Sequence, residues 1–317
     1  MLNALLYVTT LLVWGGSWLA IKWQAGPVPT SLSILYRFGL AAALLIALVL
    51  LFGRLQRTTR RDQWFCALQG GCLYSCNFIA FYLATGYIAS GLVAVVMSTT
   101  TLLNAAHNRL FWQQPAGPRF RWAALLGTVG LMLLFSNDLL SQQWSQQTLY
   151  GIGFALLGSW LFSLGNMVGV RHAKNGLQPL TYNSWAMLYG CLILLSVTLV
   201  QLGFKADSIQ QMAWWDSNPR YFWGLLYLAV LASVVGFNVY LLLVARIGAN
   251  SAAYTLVGTP VIALTLSSLF EDYRWTSTGM IGLLVVIAGN LLVLGKPPAI
   301  GSMRCWWRMM RKRLLAF

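Results

Sequence analysis

Three polar residues share one face of a strongly apolar stretch in the first half of the chain. Thr100, Asn104 and His107 follow i, i+4, i+7 spacing, which places them on one side of an α-helix. Polar side chains inside a bilayer are costly and tend to face a bundle interior or a water-filled cavity. This face is therefore either a hydrogen-bonding wall for a polar solute or a set of interhelical hydrogen bonds. His107 lies toward one end of the stretch, where we expect a solvated histidine.

A second group combines aromatic rings with an amide. Tyr74, Asn77 and Phe81 recur at i, i+3 and i+7, with Tyr82 beside them. Tyr74 and Asn77 lie away from the interfaces where Tyr and Trp usually collect. Such a wall would suit an amphipathic or aromatic solute, although aromatic side chains at this spacing also pack helices together. Comparable candidates recur along the chain: Trp14, Ser17, Trp18, Ser163, Asn166, Asn238, Tyr240 and Tyr254.

Few ionisable side chains are available for a role inside the membrane. Arg37 is the only charged residue well inside an apolar stretch. It either extends to the surface or holds a carboxylate of a solute or of the protein, since its planar fork forms two hydrogen bonds with a carboxylate. His107 and Glu271 are the candidates for proton coupling, and Glu271 could equally be a solvated or helix-end-paired carboxylate. Pro260 removes a backbone hydrogen bond and is a candidate for a gating kink or a static bend.

Ten apolar stretches of about twenty residues position these side chains, and a helix of that length spans the ~30 Å hydrocarbon core. Hydrophobic residues make up 58% of the 317 residues and charged residues only 9%. The composition predicts an all-α integral membrane protein with ten transmembrane helices and leaves no room for an aqueous catalytic domain. The expected segments are roughly 3–22, 30–52, 64–85, 88–111, 120–137, 150–171, 180–203, 221–244, 250–270 and 276–295.

The net charge of +15 is explained by membrane topology and does not indicate a nucleic-acid partner. With the N-terminus in the cytoplasm, most of the 21 basic residues fall on the cytoplasmic side, as the positive-inside rule requires. Most acidic residues fall on the opposite side, and both termini are expected to be cytoplasmic. The tail, residues 296–317, mixes Arg and Lys with Trp, Met and Leu, which predicts an interfacial amphipathic helix on anionic lipids.

Cysteine and histidine give no support for a metal or enzyme site. Cys72 and Cys76 are four residues apart on one helical face, but no His or acid accompanies them, so packing is the favoured interpretation. His107 and His172 are the only histidines and lie far apart in the sequence, which argues against a metal-dependent intramembrane enzyme. No G-x-x-x-x-G-K-[ST] loop is present, which excludes ATP hydrolysis within this chain. We expect no cofactor and no metal.

The two halves of the chain repeat each other. With a shift of 159, residues 64–135 align without a gap on residues 223–294, and Gly130 falls on Gly289. The same register superposes the ends of the apolar segments. Each half then holds five helices, and this odd number reverses the direction of the second half in the membrane. Inverted repeats are the construction of secondary transporters, with the substrate site near the middle of the membrane between the halves.

This duplication predicts four parts of the chain. Residues 1–137 form the first five-helix repeat, residues 138–149 a periplasmic linker, residues 150–295 the second repeat and residues 296–317 the basic cytoplasmic tail.

Four short runs resemble a known transporter family. They are WGGSWLAIK at 14–22, LYRF at 35–38, GTPVIALTLSSLFED at 258–272 and GLLVVIAGNLLV at 282–293. In this order and spacing they are similar to the EamA-type transporters of the drug/metabolite transporter superfamily. The resemblance covers residues 3–295 and implies a bacterial inner-membrane carrier that exports amino acids, related metabolites or toxic small molecules. Members often carry an acid at the end of the fourth helix, but here Trp112 stands at the position that matches Glu271.

The expected function is that of a secondary transporter exporting small amphipathic metabolites by alternating access. Energy coupling is open between proton antiport and passive facilitation, because His107 and Glu271 are the only titratable candidates along the pathway. An intramembrane enzyme and an accessory subunit that moves nothing by itself are the rival interpretations.

Overall fold

Helices form all of the regular structure in the residues that the computed structural model describes, which are 2–53, 55–113, 119–136, 146–202, 212–237, 239–240, 243 and 254–294. The helices are α1 (Leu2–Trp23), α2 (Thr30–Leu51), α3 (Arg60–Tyr74), α4 (Cys76–Tyr87), α5 (Ser90–Ser98), α6 (Thr100–Trp112), α7 (Arg119–Leu134), α8 (Gln146–Lys174), α9 (Pro179–Gln201), α10 (Pro219–Leu226) with a π-helical continuation (Tyr227–Val235), α11 (Tyr254–Phe270) and α12 (Ser277–Leu294). The predicted all-α fold is confirmed for these ranges.

These helices group into ten units along the described chain. Helices α1, α2, α8 and α9 are each long and apolar enough to cross a membrane alone. Helix α10 with its π-helical continuation, and helices α7, α11 and α12, are shorter and also apolar. The other two units are the pairs α3–α4 and α5–α6, which replace the continuous helices predicted at 64–85 and 88–111. Each pair is divided by a single residue.

Hydroxyl side chains account for both divisions. Ser75, between α3 and α4, has φ −136° and ψ −80°, and its Oγ donates to the carbonyl oxygens of Gly70 and Gly71 at 3.0 Å. Thr99, between α5 and α6, donates from Oγ1 to the carbonyl oxygen of Val96 at 2.7 Å. A hydroxyl that bonds a preceding carbonyl competes with the helical ladder and bends the helix.

Several helix ends follow from local sequence. Thr59 and Asp62 form a capping box at the start of α3, in which each side chain accepts from the other residue's backbone N–H. Pro179 occupies the first position of α9, where its missing N–H is not needed. Gly53 and Gly176 follow α2 and α8 with φ of 60° and 79°, a conformation that glycine adopts without strain.

Helices α7 and α12 approach closely through glycines. A Cβ at Gly130 would lie 2.7 Å from the backbone nitrogen of Val286, and a Cβ at Gly282 would lie 2.6 Å from the backbone nitrogen of Leu134. Backbone atoms cannot swing aside as the end of a side chain can, so this interhelical distance requires glycine at both positions. Small residues are the usual means of close helix packing in lipid, where the hydrophobic effect contributes little.

The bundle is apolar outside as well as inside. Large hydrophobic side chains such as Leu51, Trp64 and Leu284 are mostly exposed on its surface, while Phe38 and Phe81 are fully buried within it. An exterior of this kind is stable in hydrocarbon and would aggregate in water. The chain is therefore a multi-pass membrane protein, as its composition predicts.

Candidate functional site

Arg37 is buried among aromatic rings two turns into α2. Only 3% of the residue is exposed, so the side chain does not extend to the surface. Its guanidinium carbon lies 4.8 Å from the ring centroid of Phe38 and 4.4 Å from that of Phe78. Its Nε donates to the Oγ of Ser233 at 3.3 Å, whereas its Nη1 has no hydrogen-bond partner. The ring faces stabilise the cation, but they do not satisfy its donors.

No carboxylate of the described residues neutralises Arg37. The ion pair among the described residues joins Arg171 to Asp62 and does not involve Arg37. Asp216 accepts from the backbone N–H of Asn218 at 2.8 Å. A buried cation without a counter-ion is costly, so an anion beside Arg37 would be stabilised.

Two more buried polar side chains lie beside Arg37. The hydroxyl of Tyr82 donates to Oε1 of Gln24 at 2.6 Å, and Tyr82 is also a hydrogen-bonding neighbour of Arg37. Gln24 is 2% exposed and its Nε2 has no partner. The sequence interpretation did not include Gln24, because a glutamine just beyond a helix end resembles an ordinary interfacial residue.

Trp18 and Phe81, two of the predicted pathway residues, pack against each other. Their rings meet edge to face with centroids 5.3 Å apart, and Phe81 also contacts Phe78 at 6.1 Å. A Cβ added at Gly158 would lie only 2.7 Å from two carbon atoms of the Phe81 ring. The absence of a side chain at Gly158 therefore lets α8 approach the aromatic face of α4.

Trp14 belongs to a separate aromatic group nearer the start of α1. Its Nε1 donates to the carbonyl oxygen of Ala232 at 3.1 Å, and its ring lies 4.9 Å from Tyr240 and 5.4 Å from Phe237. Ser17 donates to the carbonyl oxygen of Trp14 at 2.7 Å. The hydroxyl of Ser17 is thus satisfied within its own helix.

Tyr74 and Asn77 have different surroundings although they are three residues apart. The Tyr74 hydroxyl donates to Oδ1 of Asn183 on α9 at 3.0 Å. Asn77 is fully buried, and neither its Oδ1 nor its Nδ2 has a hydrogen-bond partner. Leaving a buried polar group unpaired costs about 1–3 kcal/mol, so Asn77 is a second position where the protein interior lacks a polar partner.

The polar face of α6 contacts α8. Asn104 Oδ1 accepts from Ser163 Oγ at 2.8 Å and from Asn166 Nδ2 at 3.4 Å. His107 Nδ1 lies 2.7 Å from the same Ser163 hydroxyl, and only 7% of His107 is exposed. The expectation of a solvated histidine is wrong, because helix packing covers the ring. Thr100, on the same face, is buried and its Oγ1 has no partner.

Glu271 binds the start of α5. Its Oε2 accepts from the backbone N–H of Ser90 at 2.8 Å, and its Oε1 accepts from the hydroxyls of Ser90 and Ser267. Ser267 in turn accepts from the backbone N–H of Gly91 at 2.8 Å. This is the geometry of a carboxylate that pairs with a helix N-terminus, where unpaired N–H groups and the helix dipole favour negative charge.

The remaining pathway candidates lie on or near α11. This helix runs through Pro260 without interruption. Tyr254 is its first residue, but the Tyr254 side chain and Asn238 lie outside the described residues. Thr101, which matches Pro260 in the repeat, donates to Oδ1 of Asn290. Sequence reasoning missed Asn290, which joins α6 to α12.

A polar cluster lies where the start of α3, the end of α8 and the start of α9 meet. Arg171 pairs with Asp62 at 3.0 Å and lies over the ring of Phe65 at 3.8 Å. His172 is fully buried and stacks on Tyr182 with centroids 5.0 Å apart. Hydrogen bonds from Thr59, and then the contact with Arg171, lower the pKa of Asp62. Among the described residues, no group of three or more His, Cys, Asp or Glu side chains could hold a metal ion.

A groove of about 430 Å³ runs along the outside of the bundle between α3 and α9. It is lined mainly by apolar side chains, among them Ala67, Leu192, Ile193 and Val197. None of the predicted pathway residues contributes to it. The polar atoms without partners are thus in the interior of the bundle and not in this surface groove.

The chain is similar to known transporters in sequence. The chain is 26% identical over 298 residues to the uncharacterized inner membrane transporter YedA of Escherichia coli strain K12, covering 90% of each chain. It is 24% identical over 289 residues to the uncharacterized transporter sll0355 of Synechocystis sp., covering 84% of this chain and 83% of that one. A protein crystal structure matches with a TM-score of 0.62 and 15% identity over 92% of this chain and 96% of the other, which supports the fold.

A profile of the EamA-like transporter family matches residues 1–136 and again residues 149–295. The two matches cover most of the chain and agree with the resemblance seen in its sequence motifs. The chain therefore belongs to the EamA-like transporter family.

Proposed function

We propose that this protein is a secondary transporter that exports small amphipathic metabolites, such as amino acids or aromatic compounds, by alternating access. The observation that carries the proposal is that buried polar atoms of three predicted pathway residues lack partners: Nη1 of Arg37, both amide atoms of Asn77 and Oγ1 of Thr100. Folded proteins leave few such groups unpaired. A solute or water that enters the bundle interior would satisfy them.

The repetition of the first half of the chain in the second supports the proposal of an inverted repeat and alternating access. The family profile matches each half of the chain once. The repeat shift of 159 carries Gly130 to Gly289 and Ala123 to Gly282. The contact between Gly130 and Gly282 therefore corresponds to the contact between Gly289 and Ala123, and both join α7 to α12. A Cβ at Gly130 would lie 2.8 Å from the carbonyl oxygen of Gly282, and a Cβ at Gly289 would lie 3.0 Å from that of Ala123. Contacts that exchange in this way are expected of a pseudo-twofold axis between α7 and α12.

The proposed pathway lies between the two halves and combines ring faces with hydrogen-bonding groups. Trp18, Phe81 and Phe78 supply the ring faces, while Asn77 and Asn104 supply amides. A solute with an apolar part and a polar part would use both kinds of surface. The other proposed pathway residues are Trp14, Ser17, Tyr74, Thr100, Ser163, Asn166, Asn238, Tyr240 and Tyr254, with Pro260 as the proposed gating position.

Passive facilitation is the second candidate mechanism. Both coupling candidates have hydrogen-bond partners within the protein: His107 faces the Ser163 hydroxyl, and Glu271 accepts from the start of α5. A group that carries protons must exchange them with the pathway, and these contacts favour a structural role for each side chain. Proton antiport would require the contacts to open during the cycle.

A counterflow screen of the purified protein in liposomes tests the transporter proposal. Liposomes loaded with an unlabelled amino acid, aromatic acid or cationic dye should take up the same labelled compound against its gradient. Protein-free liposomes are the control. An imposed pH gradient that drives net transport would favour proton antiport, whereas equilibration alone would favour a facilitator. Failure of every compound to exchange would support the accessory-subunit interpretation.

Reporter fusions test the proposed orientation in the bacterial inner membrane, with both termini cytoplasmic. A reporter after Phe317 should be active on the cytoplasmic side, and one near Asp138 on the periplasmic side. Two reporters on the same side would contradict ten spans. Binding to vesicles with and without anionic lipid, measured with the tail peptide 296–317, tests the proposed contact of the tail with anionic headgroups.

A further inference from the structure

We infer that Gln24, Tyr82 and Arg37 form a subsite for the carboxylate of an amphipathic solute. The inference rests on the proposed transport function, which supplies the reason for a solute to reach the bundle interior. It adds a substrate class, apolar or aromatic carboxylates, and two residues that bind the carboxylate together with Arg37.

The free hydrogen-bonding groups of this subsite are donors. Nη1 of Arg37 and Nε2 of Gln24 both lack partners, and the two residues are 97% or more buried. The Tyr82 hydroxyl joins them, since it donates to Oε1 of Gln24 at 2.6 Å and neighbours the guanidinium of Arg37. Two unpaired N–H donors on either side of one hydroxyl require an acceptor, and a carboxylate offers two oxygens with about four lone-pair positions.

The local charge also favours an anion. Lys22, two residues before Gln24, donates from Nζ to the carbonyl oxygen of Thr85 at 2.5 Å, and Thr85 itself bonds the carbonyl oxygen of Tyr82. A second cation is therefore held on the same turn of α4 as Tyr82. The nearby Asp216 accepts a backbone hydrogen bond from its own loop. The described residues thus place two cations around the subsite, and neither forms an ion pair with a described carboxylate.

The neighbours of Arg37 favour a carboxylate attached to an apolar group. The rings of Phe38 and Phe78 cover the guanidinium of Arg37 at 4.8 and 4.4 Å, so the surroundings of this donor are apolar. Arg37 is seven residues into α2, which corresponds to a depth of roughly 10 Å along the helix. A singly charged carboxylate matches one buried guanidinium, whereas a phosphate would bring more charge into the membrane than the site neutralises.

An isosteric change at Gln24 tests the inference. In Gln24→Glu, the unpaired donor becomes a carboxylate oxygen that pairs with Arg37 and occupies the subsite. We expect binding of 3-phenylpropionate to weaken roughly tenfold or more, since a charge-assisted hydrogen bond is lost and a like charge is added. Binding of the neutral 3-phenylpropanamide should change little. Calorimetric titration of the full-length protein in detergent measures both affinities.

A matched variant separates the subsite from general burial of charge. Gln69 is also 2% exposed, but it lies on α3 beside Gly169 at the other end of the bundle. We expect Gln69→Glu to lower the melting temperature, because it buries an uncompensated charge, and Gln24→Glu to preserve or raise it. Tyr82→Phe, which removes only the hydroxyl, should fold and bind 3-phenylpropionate severalfold more weakly.

These outcomes decide the inference independently of transport, because binding and melting need no vesicle. If Gln24→Glu melts as low as Gln69→Glu, or binds 3-phenylpropionate as the wild type does, the carboxylate subsite is refuted. If inorganic phosphate stabilises the wild type and 3-phenylpropionate does not, the site takes phosphate and the inference is also refuted. Normal binding together with failed counterflow would refute the transporter proposal and leave the subsite standing.

Discussion

Replacing Glu271 by glutamine should destabilise the protein, because this carboxylate fixes the start of α5. Its Oε2 accepts from the backbone N–H of Ser90 at 2.8 Å, and its Oε1 accepts from two serine hydroxyls. In Glu271→Gln, one of the two acceptors becomes an NH₂ donor. The serine hydroxyls can rotate to accept from this donor, but the backbone N–H of Ser90 cannot.

The cost follows from the loss of charge, because the amide oxygen can stay on the Ser90 N–H while the NH₂ group faces the hydroxyls. A hydrogen bond to a charged group contributes about 1.5–3 kcal/mol and one between neutral groups about 0.5–1.5 kcal/mol, and an anion at a helix N-terminus contributes about 0.3–1 kcal/mol more. The difference and the helix contribution together predict that the Glu271→Gln variant is about 1–3 kcal/mol less stable. Glu271→Ala should lose more, because it removes every acceptor of this carboxylate.

The neighbouring acid is the matched control. Asp272 is exposed and has φ 55°, a conformation that asparagine tolerates, so Asp272→Asn removes the same charge without these contacts. Thermal melts in one detergent should place Glu271→Gln clearly below Asp272→Asn. Equal melting temperatures would refute the capping role. A stable Glu271→Gln variant that loses pH-gradient-driven transport would instead assign Glu271 to proton coupling.

Three further predictions concern packing, pH and access. Gly282→Ala places its Cβ 2.6 Å from a backbone nitrogen, and the cost of this overpacking is about 1–3 kcal/mol. The variant should melt below Gly39→Ala, because a Cβ at Gly39 meets open space. Equal melting temperatures would contradict the close contact. Because the pKa of Asp62 is lowered, its contribution to stability is present above the ordinary pKa near 4 and is lost as pH falls through the lowered value. The melting difference from Asp62→Asn should therefore be larger at pH 7 than at pH 3, and no change would argue against it. In a cysteine-free background, cysteine substituted for Asn77 or Asn104 should react with a small water-soluble thiol reagent and be protected by substrate, whereas inert cysteines at both positions would favour simple packing.

Much of the architecture was predictable because transmembrane helices follow directly from hydrophobic length. The ten apolar segments correspond to the ten helical units of the described chain. The divisions at Ser75 and Thr99 were not predicted, because the apolar character of the chain continues through both positions. The run Ser98-Thr99-Thr100-Thr101 carried a usable signal, because consecutive hydroxyls compete for helical carbonyls.

The candidate site was less predictable, because its partners are remote in the sequence. Helical spacing correctly placed Asn104 and His107 on one face, but it could not show that Ser163 lies opposite them. Likewise, Arg37 was visible as a charge within an apolar segment, whereas its proximity to Gln24 and Tyr82 depends on how α1, α2 and α4 pack. Spacing identifies the face of one helix, and only tertiary packing identifies what that face meets.

The π-helical stretch Tyr227–Val235 has a consequence for the surroundings of Arg37. Backbone hydrogen bonds join residues four apart in an α-helix and five apart in a π-helix. Conversion of this stretch to an α-helix would therefore turn the residues that follow by roughly 100° about the helix axis, which is the rotation of one residue. Ser233, the acceptor for Nε of Arg37, lies within the stretch. The contact between these two side chains therefore depends on the winding of one helix and could be broken without moving α2.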